Sequence, residues 1–328
     1  MELESRILNS VDSRNLHLMI FSTEKCNFRC TYCYEDFEKG KLTGDVVSGI
    51  KNLIKARAHD LNNLQISWFG GEPLLNYKGV VSISEYIKDI QKSHPDLSYQ
   101  SDMTTNGYLL TNDKYETLSN LGVTKFQISL DGDQYVHDKT RILVNGQGTF
   151  NTIWDNLKKI KLSSLSANIL LRIHYDSHNW SKISEFSKKI GSTFGDDRRF
   201  SVFFKDIVRL GGTNDHNIKI TNKTDKEKIE RELYRNATMQ TKTSPNLIGK
   251  EQYICYASQA NSFVIRSDGY VNKCTVALSD PNNFIGKLHP NGKLEINNNK
   301  LKPWLQGLSS LNPKDLACPY GSLAGKSE

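Results

Sequence analysis

No stretch of this 328-residue sequence is long, apolar and uncharged, so it has no membrane-spanning segment and no apolar centre of a secretory signal. Cysteine is scarce. Six residues are too few for a disulfide-stapled scaffold, and without a signal peptide they point to a reducing compartment, where thiols hold metal rather than pair. The expectation is a cytoplasmic protein with no membrane partner. A stripe of one charge sign is also missing. The 43 Lys and Arg residues are interspersed with 36 Asp and Glu, giving a net charge of +7 without the concentrated basic face of a nucleic-acid binder. The run from Lys223 to Arg235 reads as a helix surface of alternating charge. The residues ahead of Leu16 are too few for an independent domain, so no fused leader-binding module is expected there.

What is present is a regular alternation of short apolar runs and longer helical patterns from residue 16 onward, the pattern of consecutive βα units and a parallel sheet. Strands are expected near Leu16–Ser22, Leu64–Phe69, Leu97–Thr104, Lys125–Ser129, Asn168–Tyr175 and Phe200–Ile207. Between them, Gly44–Arg57, Tyr77–Ser93, Asp113–Leu121, Thr149–Ile160 and Trp180–Ile190 carry apolar residues at helical spacing. Right-handed crossovers would wrap these helices outside the sheet. A complete eight-fold barrel needs more units than occur before the composition changes, so an α/β fold with an open, partial (β/α)6 barrel is expected. The periodicity breaks beyond Gly211 and Gly212. That divides the chain into a barrel over 1–210, a linker and helix over 211–250, and a C-terminal domain over 251–328.

Three of the six cysteines fall within eight residues, Cys26-x3-Cys30-x2-Cys33, directly after the first expected strand. Thiolates at this density suit a soft metal centre. A four-iron cluster held by three cysteines leaves one iron open to another ligand, which makes the site reactive rather than structural. Zinc would ask for a fourth protein ligand nearby, and no Cys or His lies between Tyr34 and Arg57. Three unrelated buried thiols are the plain alternative, because free cysteine packs as a small hydrophobe. The next strand ends are polar too: Phe69-Gly70-Gly71-Glu72-Pro73, Thr104-Thr105-Asn106-Gly107 and Ser129-Leu130-Asp131-Gly132. Parallel sheets place their chemistry beyond such ends. Gly70 and Gly71 permit close backbone approach to a ligand, and Glu72 can accept from an ammonium group, while Asn-Gly and Asp-Gly are also ordinary turns. On the fifth strand Arg172, His174 and Asp176 alternate with apolar residues and should share one face. His174 and Asp176 are the candidate catalytic residues, His174 as a proton acceptor.

The cysteine spacing, with the aromatic Tyr32 just before the third cysteine, resembles the signature of the radical S-adenosylmethionine (radical SAM) enzymes. The resemblance implies a [4Fe–4S] cluster at Cys26, Cys30 and Cys33 whose open iron chelates S-adenosylmethionine (AdoMet). Electron transfer from the cluster then yields a 5′-deoxyadenosyl radical that takes hydrogen from substrate. It also implies cofactor contacts: Tyr32 beside the cluster, Gly70, Gly71 and Glu72 at the amino end as the GGEP motif, Asn106 near the ribose, Ser129 near the carboxylate. Arg141, closing the run His137-Asp138-Lys139-Thr140-Arg141, would pair with that carboxylate. An external electron donor such as a flavodoxin or ferredoxin follows from the same resemblance.

Cys255, Cys274 and Cys318 form a second set. A hairpin is expected between the first two, Ser262–Arg266 and Tyr270–Asn272 joined through Ser267-Asp268-Gly269. The arrangement Cys-x13-Gly-x4-Cys resembles the opening of the SPASM or shorter twitch extension, which holds auxiliary iron–sulfur clusters. Only Cys318 remains downstream, so the resemblance implies one auxiliary cluster at most, with one iron left for another ligand. The expected C-terminal domain is thus a small iron–sulfur auxiliary domain.

Enzymes of this layout act mostly on ribosomally made precursor peptides. With all six cysteines assigned to clusters, none is left to return a hydrogen atom as an epimerase needs, so oxidative side-chain cross-linking is favoured. Formylglycine-type oxidation is the nearest alternative. A non-catalytic iron–sulfur or zinc scaffold that binds a peptide would leave Gly70, Gly71, Glu72, Asn106 and Ser129 unexplained.

Overall fold

The computed structural model describes residues 2–237, 239, 241 and 253–324. In chain order the strands are β1 (Asn15–Thr23), β2 (Phe28–Cys30), β3 (Asn63–Gly70), β4 (Ser98–Thr105), β5 (Val123–Leu130), β6 (Arg141–Leu143), β7 (Asn168–Tyr175), β8 (Phe200–Asp206), β9 (Ser262–Ile265), β10 (Tyr270–Asn272), β11 (Phe284–Leu288) and β12 (Leu294–Ile296). The longer helices are α1 (Glu2–Val11), α2 (Gly44–Arg57), α3 (Tyr77–Ser93), α4 (Asn112–Asn120), α5 (Gln134–Thr140), α6 (Phe150–Lys161), α7 (Trp180–Phe194) and α8 (Lys223–Asn236). All six expected strands and all five expected helices are present, displaced by a few residues at most. β2 and β6, three residues each, are too short to show a period in the sequence.

The chain forms two units. One contains the residues up to Lys25, Phe37–Ser101 and the described residues from Tyr253 onward. Here β1 pairs in parallel with β3, Leu18 against Ile66 and Ile20 against Trp68. Leu18, Ile20, Ile66 and Trp68 are all fully enclosed, as a parallel sheet covered on both faces requires. α2 closes one crossover with Val46, Ile50, Leu53 and Ile54 on its buried face, spaced as one helical stripe. On its other side β1 pairs in parallel with β9, and β9 to β12 continue as an antiparallel meander. The described part of 251–328 is therefore built onto the first strand rather than standing as a domain of its own. A hairpin strand with Phe263, Val264 and Ile265 all buried must find a neighbour on each side, and β1 supplies one.

The other unit contains Cys26–Asp36 and the residues from Asp102 to the described residues before Ser244; the chain passes from the first unit to the second within β4. β5, β7 and β8 pair in parallel, with Ile128, Ile169, Leu171, Ile173, Ile183 and Ile190 in the core. The helix expected within a linker, α8, belongs here: Ile229 and Leu233 are buried, Tyr175 donates to Glu230 at 3.0 Å, and Lys226 pairs with Asp206 at 2.8 Å. Its two buried apolar residues, Ile229 and Leu233, are four apart within a highly charged sequence, a narrow stripe easily read as surface. Among the described residues no helix is long and apolar enough to cross a membrane.

Candidate active site

Within the second unit the first cysteine set is held by a two-stranded ladder. β2 pairs antiparallel with β6, setting Cys30 opposite Arg141. The Phe28 amide points at Cys26 Sγ at 3.3 Å. Asn106, just past β4, donates through Nδ2 to Asn27 Oδ1 at 2.9 Å and lies 3.9 Å from Cys26 Sγ. N–H groups directed at sulfur suit a metal-bound thiolate. Burial raises the Cys30 thiol, against the charge of Arg141, and raises Cys33 to about 12. As free groups both would stay protonated; a bound metal deprotonates such thiols outright. Among the described residues no three His, Cys, Asp or Glu side chains surround one ion position.

Behind the cysteines lies a buried polar network. Arg141 NH1 donates to Tyr32 OH at 2.7 Å, and Tyr32 OH donates to Asp131 Oδ1 at 2.8 Å. Thr140 Oγ1 donates to Asp131 Oδ2 at 2.6 Å, and His174 Nδ1 lies 3.1 Å from Asp131 Oδ1. Burial alone would raise the Asp131 carboxyl, but the His174 hydrogen bond and the Arg141 charge overcome it and hold the group well below the usual carboxylate range. Burial lowers His174 to about 4 despite the same hydrogen bond, so the imidazole is neutral near pH 7. With Asp131 ionised, Nδ1–H donates to it and Nε2 is left as the acceptor, a tautomer assigned from the network. A second histidine braces the arrangement: His137 Nδ1 accepts from the Asp131 amide at 3.3 Å, its Nε2 lies 3.0 Å from Thr149 Oγ1, and that hydroxyl donates to the Arg141 carbonyl at 2.6 Å.

Arg172 stands opposite Ser129 in the β5–β7 register, two residues before His174 on the same face. Asp176 is not brought to the network. β7 ends at Tyr175, the alternation ends with it, and Asp176 Oδ1 accepts from the His178 and Asn179 amides, each at 2.8 Å. It is a turn-former ahead of α7. Its position in the network is taken by Asp131, which the sequence shows only as half of an Asp-Gly turn.

In the first unit the Gly-Gly-Glu-Pro segment is fixed by the chain that follows β1. Gly70 has φ +116°, and a β-carbon there would run into the Thr23 carbonyl; the close approach is to the protein's own backbone. The Gly71 amide donates to Thr23 O at 3.2 Å and the Glu72 amide to Lys25 O at 3.0 Å. Glu72 is fully buried, with Oε1 accepting from the Leu74 amide at 3.0 Å.

The second cysteine set also lies in this unit. Asn283 orients Cys274, accepting from its amide at 2.8 Å and donating to its carbonyl at 2.8 Å, and the Val276 amide is 3.4 Å from Cys274 Sγ. Burial raises Cys274 and takes Cys255 to about 12, with Cys274 and Cys318 near enough to add to the effect on Cys255. The structure thus draws the three thiols into one neighbourhood across more than sixty residues of chain. Lys273, adjacent to Cys274, is fully buried.

The chain matches the Radical SAM superfamily over residues 20–186, half of its length, and the match takes in both the cysteine loop and the Asp131 network. The chain belongs to the radical SAM superfamily. It has that superfamily's α/β, mostly parallel fold, and membership implies a [4Fe–4S] cluster and AdoMet. A cysteine-type anaerobic sulfatase-maturating enzyme of Clostridium novyi is 32% identical over 178 residues, 51% of this chain and 46% of that protein. The chain spans about half the length of the curated relatives it matches. Among solved radical SAM folds, anSMEcpe with bound AdoMet has a TM-score of 0.67 at 19% identity, covering 89% of this chain and 81% of that one. SuiB of Streptococcus suis, bound to its precursor peptide SuiA, has a TM-score of 0.61 at 14% identity, covering 88% and 65%.

Proposed function

We propose that this radical SAM enzyme matures a ribosomally made peptide by oxidative side-chain cross-linking. The observation that supports the reading is the spacing Cys26-x3-Cys30-x2-Cys33 inside the Radical SAM match, with Cys255, Cys274 and Cys318 left as a second set. Cys26, Cys30 and Cys33 would hold the AdoMet-binding cluster; Cys255, Cys274 and Cys318 would hold a single auxiliary cluster. Asn106, Ser129 and Arg141 would take the ribose and carboxylate of AdoMet, and Gly70, Gly71 and Glu72 its amino end. With AdoMet bound and an electron delivered by a donor such as a flavodoxin or ferredoxin, the superfamily's chemistry supplies a radical that abstracts hydrogen from substrate. A peptide substrate is supported by SuiB, solved with its precursor peptide, and by the likeness to a sulfatase-maturating enzyme.

The residues of this chain set the rest of the balance. A new bond between two side chains removes two hydrogens: one leaves as an atom, the other as a proton and an electron. His174 is the proposed proton acceptor, neutral at working pH and oriented through Nδ1 by Asp131. The electron requires an acceptor, which the second cysteine set would hold. Epimerisation returns a hydrogen atom from a thiol, and no cysteine stands outside the two sets. Co-expression with a precursor peptide encoded nearby tests the reading. The peptide should lose two hydrogens and give linked fragments in tandem spectra; deuterium gained from solvent at an α-carbon, with no oxidation, would show epimerisation instead.

A further inference from the structure

We propose that Arg172 grips the carboxylate of AdoMet beside Ser129, as a contact additional to Arg141; this rests on reading the strand ends of the second unit as part of the AdoMet site. Arg172 is an uncommitted cation. Its guanidinium has no hydrogen-bond or ion-pair partner among the described residues, and its Nε is shielded from solvent without an acceptor. A charge held in that state is costly unless an opposite charge is supplied. Burial lowers the pKa of Arg172, but from a value so far above neutrality that the guanidinium keeps its charge at any working pH.

The strand sets where the guanidinium can act. Ile169, Leu171 and Ile173 are fully enclosed in the core with Ile183 and Ile190 of α7, so alternation sends Arg172 and His174 to the opposite face. From Ile169 to Tyr175, Arg172 is the only residue that is not buried, and that face is therefore open at this position. Its register neighbours are Ser129 on β5 and Phe203 on β8, a hydroxyl on one side and an aromatic ring on the other. An arginine fork presents parallel N–H donors that match the two oxygens of a carboxylate, and the Ser129 hydroxyl adds a donor next to it. Asp131 does not fill the role, because its oxygens are taken up by Tyr32, His174 and Thr140. Arg141 is partly engaged already: one nitrogen donates to Tyr32 OH, and the guanidinium lies 5.7 Å from the Phe28 ring centroid. The fork of Arg172 is whole.

The test measures binding rather than turnover. The full chain is reconstituted anaerobically and left unreduced, so that AdoMet is not cleaved, and equilibrium dialysis compares the parent with Arg172→Gln. Two ligands are used: AdoMet, and 5′-methylthioadenosine, which keeps the nucleoside and sulfur but has no carboxylate. The expected result is AdoMet binding at least about tenfold weaker in the variant, the scale of a lost charge-assisted hydrogen bond, with 5′-methylthioadenosine bound as in the parent. Parental AdoMet affinity in the variant would overturn the inference, and would leave the guanidinium to a carboxylate of the substrate. Equal weakening of both ligands would also overturn it, since Arg172 would then only hold the strand in place. Should the Gln chain fail to retain its cluster, Arg172→Lys, which keeps the charge without the fork, decides on the same two ligands: weaker AdoMet alone supports the contact, and parental affinity or equal weakening overturns it. A parent chain that binds no AdoMet would overturn the inference together with the reading of the strand ends on which it rests.

Discussion

Changing Cys26, Cys30 and Cys33 together to Ala should reduce 5′-deoxyadenosine formation from AdoMet to background under anaerobic, reducing conditions. The cluster supplies the electron, and these are the three thiols that the β2–β6 ladder and the Phe28 amide hold beside the Arg141 and Tyr32 network. The loss should be specific to chemistry. None of the three thiols is part of the buried apolar core, so the variant should keep the circular dichroism and the unfolding midpoint of the cluster-free parent. Liquid chromatography with mass detection of 5′-deoxyadenosine gives the readout. Formation at the parental rate in the triple variant would mean that the cluster is held elsewhere.

The second large effect is on stability. Glu24 and Arg266 form a fully buried ion pair in the first unit: Glu24 Oε2 accepts from Arg266 Nε at 3.0 Å and from its NH2, while Oε1 accepts from the Ser267 amide at 3.2 Å and its hydroxyl at 2.9 Å. Arg266 also donates to the Leu278 carbonyl at 3.0 Å. Arg266→Met leaves a buried carboxylate with only Ser267 for a partner, and breaking a buried pair on one side costs about 3–5 kcal/mol. The double variant Glu24→Gln, Arg266→Met removes both charges and should recover most of that loss. Denaturant unfolding of the two variants checks it; a single variant within about 0.5 kcal/mol of the parent would show the pair to be energetically idle.

The sequence shows the scaffold well because its signals are local. β1, β3, β5 and β7 are apolar runs bounded by Gly, Asn and Asp, and α2, α3, α6 and α7 carry apolar stripes over three or more turns, so period and length settle each element. The cysteine loop and the polar strand ends are visible for the same reason. Less legible is what depends on contacts between distant residues. Asp131 has the sequence context of a turn, yet burial and four partners from three segments, Tyr32, His174 and, on α5, His137 and Thr140, make it the centre of the network. Asp176 has the sequence context of a strand face, yet it lies one residue beyond the end of β7 and bonds locally. Likewise β9 looks like half of an isolated hairpin, and only the structure shows it added to β1. Lys273 carries no sequence signal, since a lysine in a charged chain is ordinarily surface.

The most direct test of the whole account is transfer of a labelled hydrogen. A precursor peptide fully deuterated at carbon, incubated with the reconstituted enzyme, AdoMet and reductant, should yield 5′-deoxyadenosine one mass unit heavier, together with a peptide that has lost that deuterium and a second hydrogen from the joined side chain. Unlabelled 5′-deoxyadenosine accompanied by an unchanged peptide would show that AdoMet is cleaved without hydrogen being taken from a peptide, and would contradict the proposal.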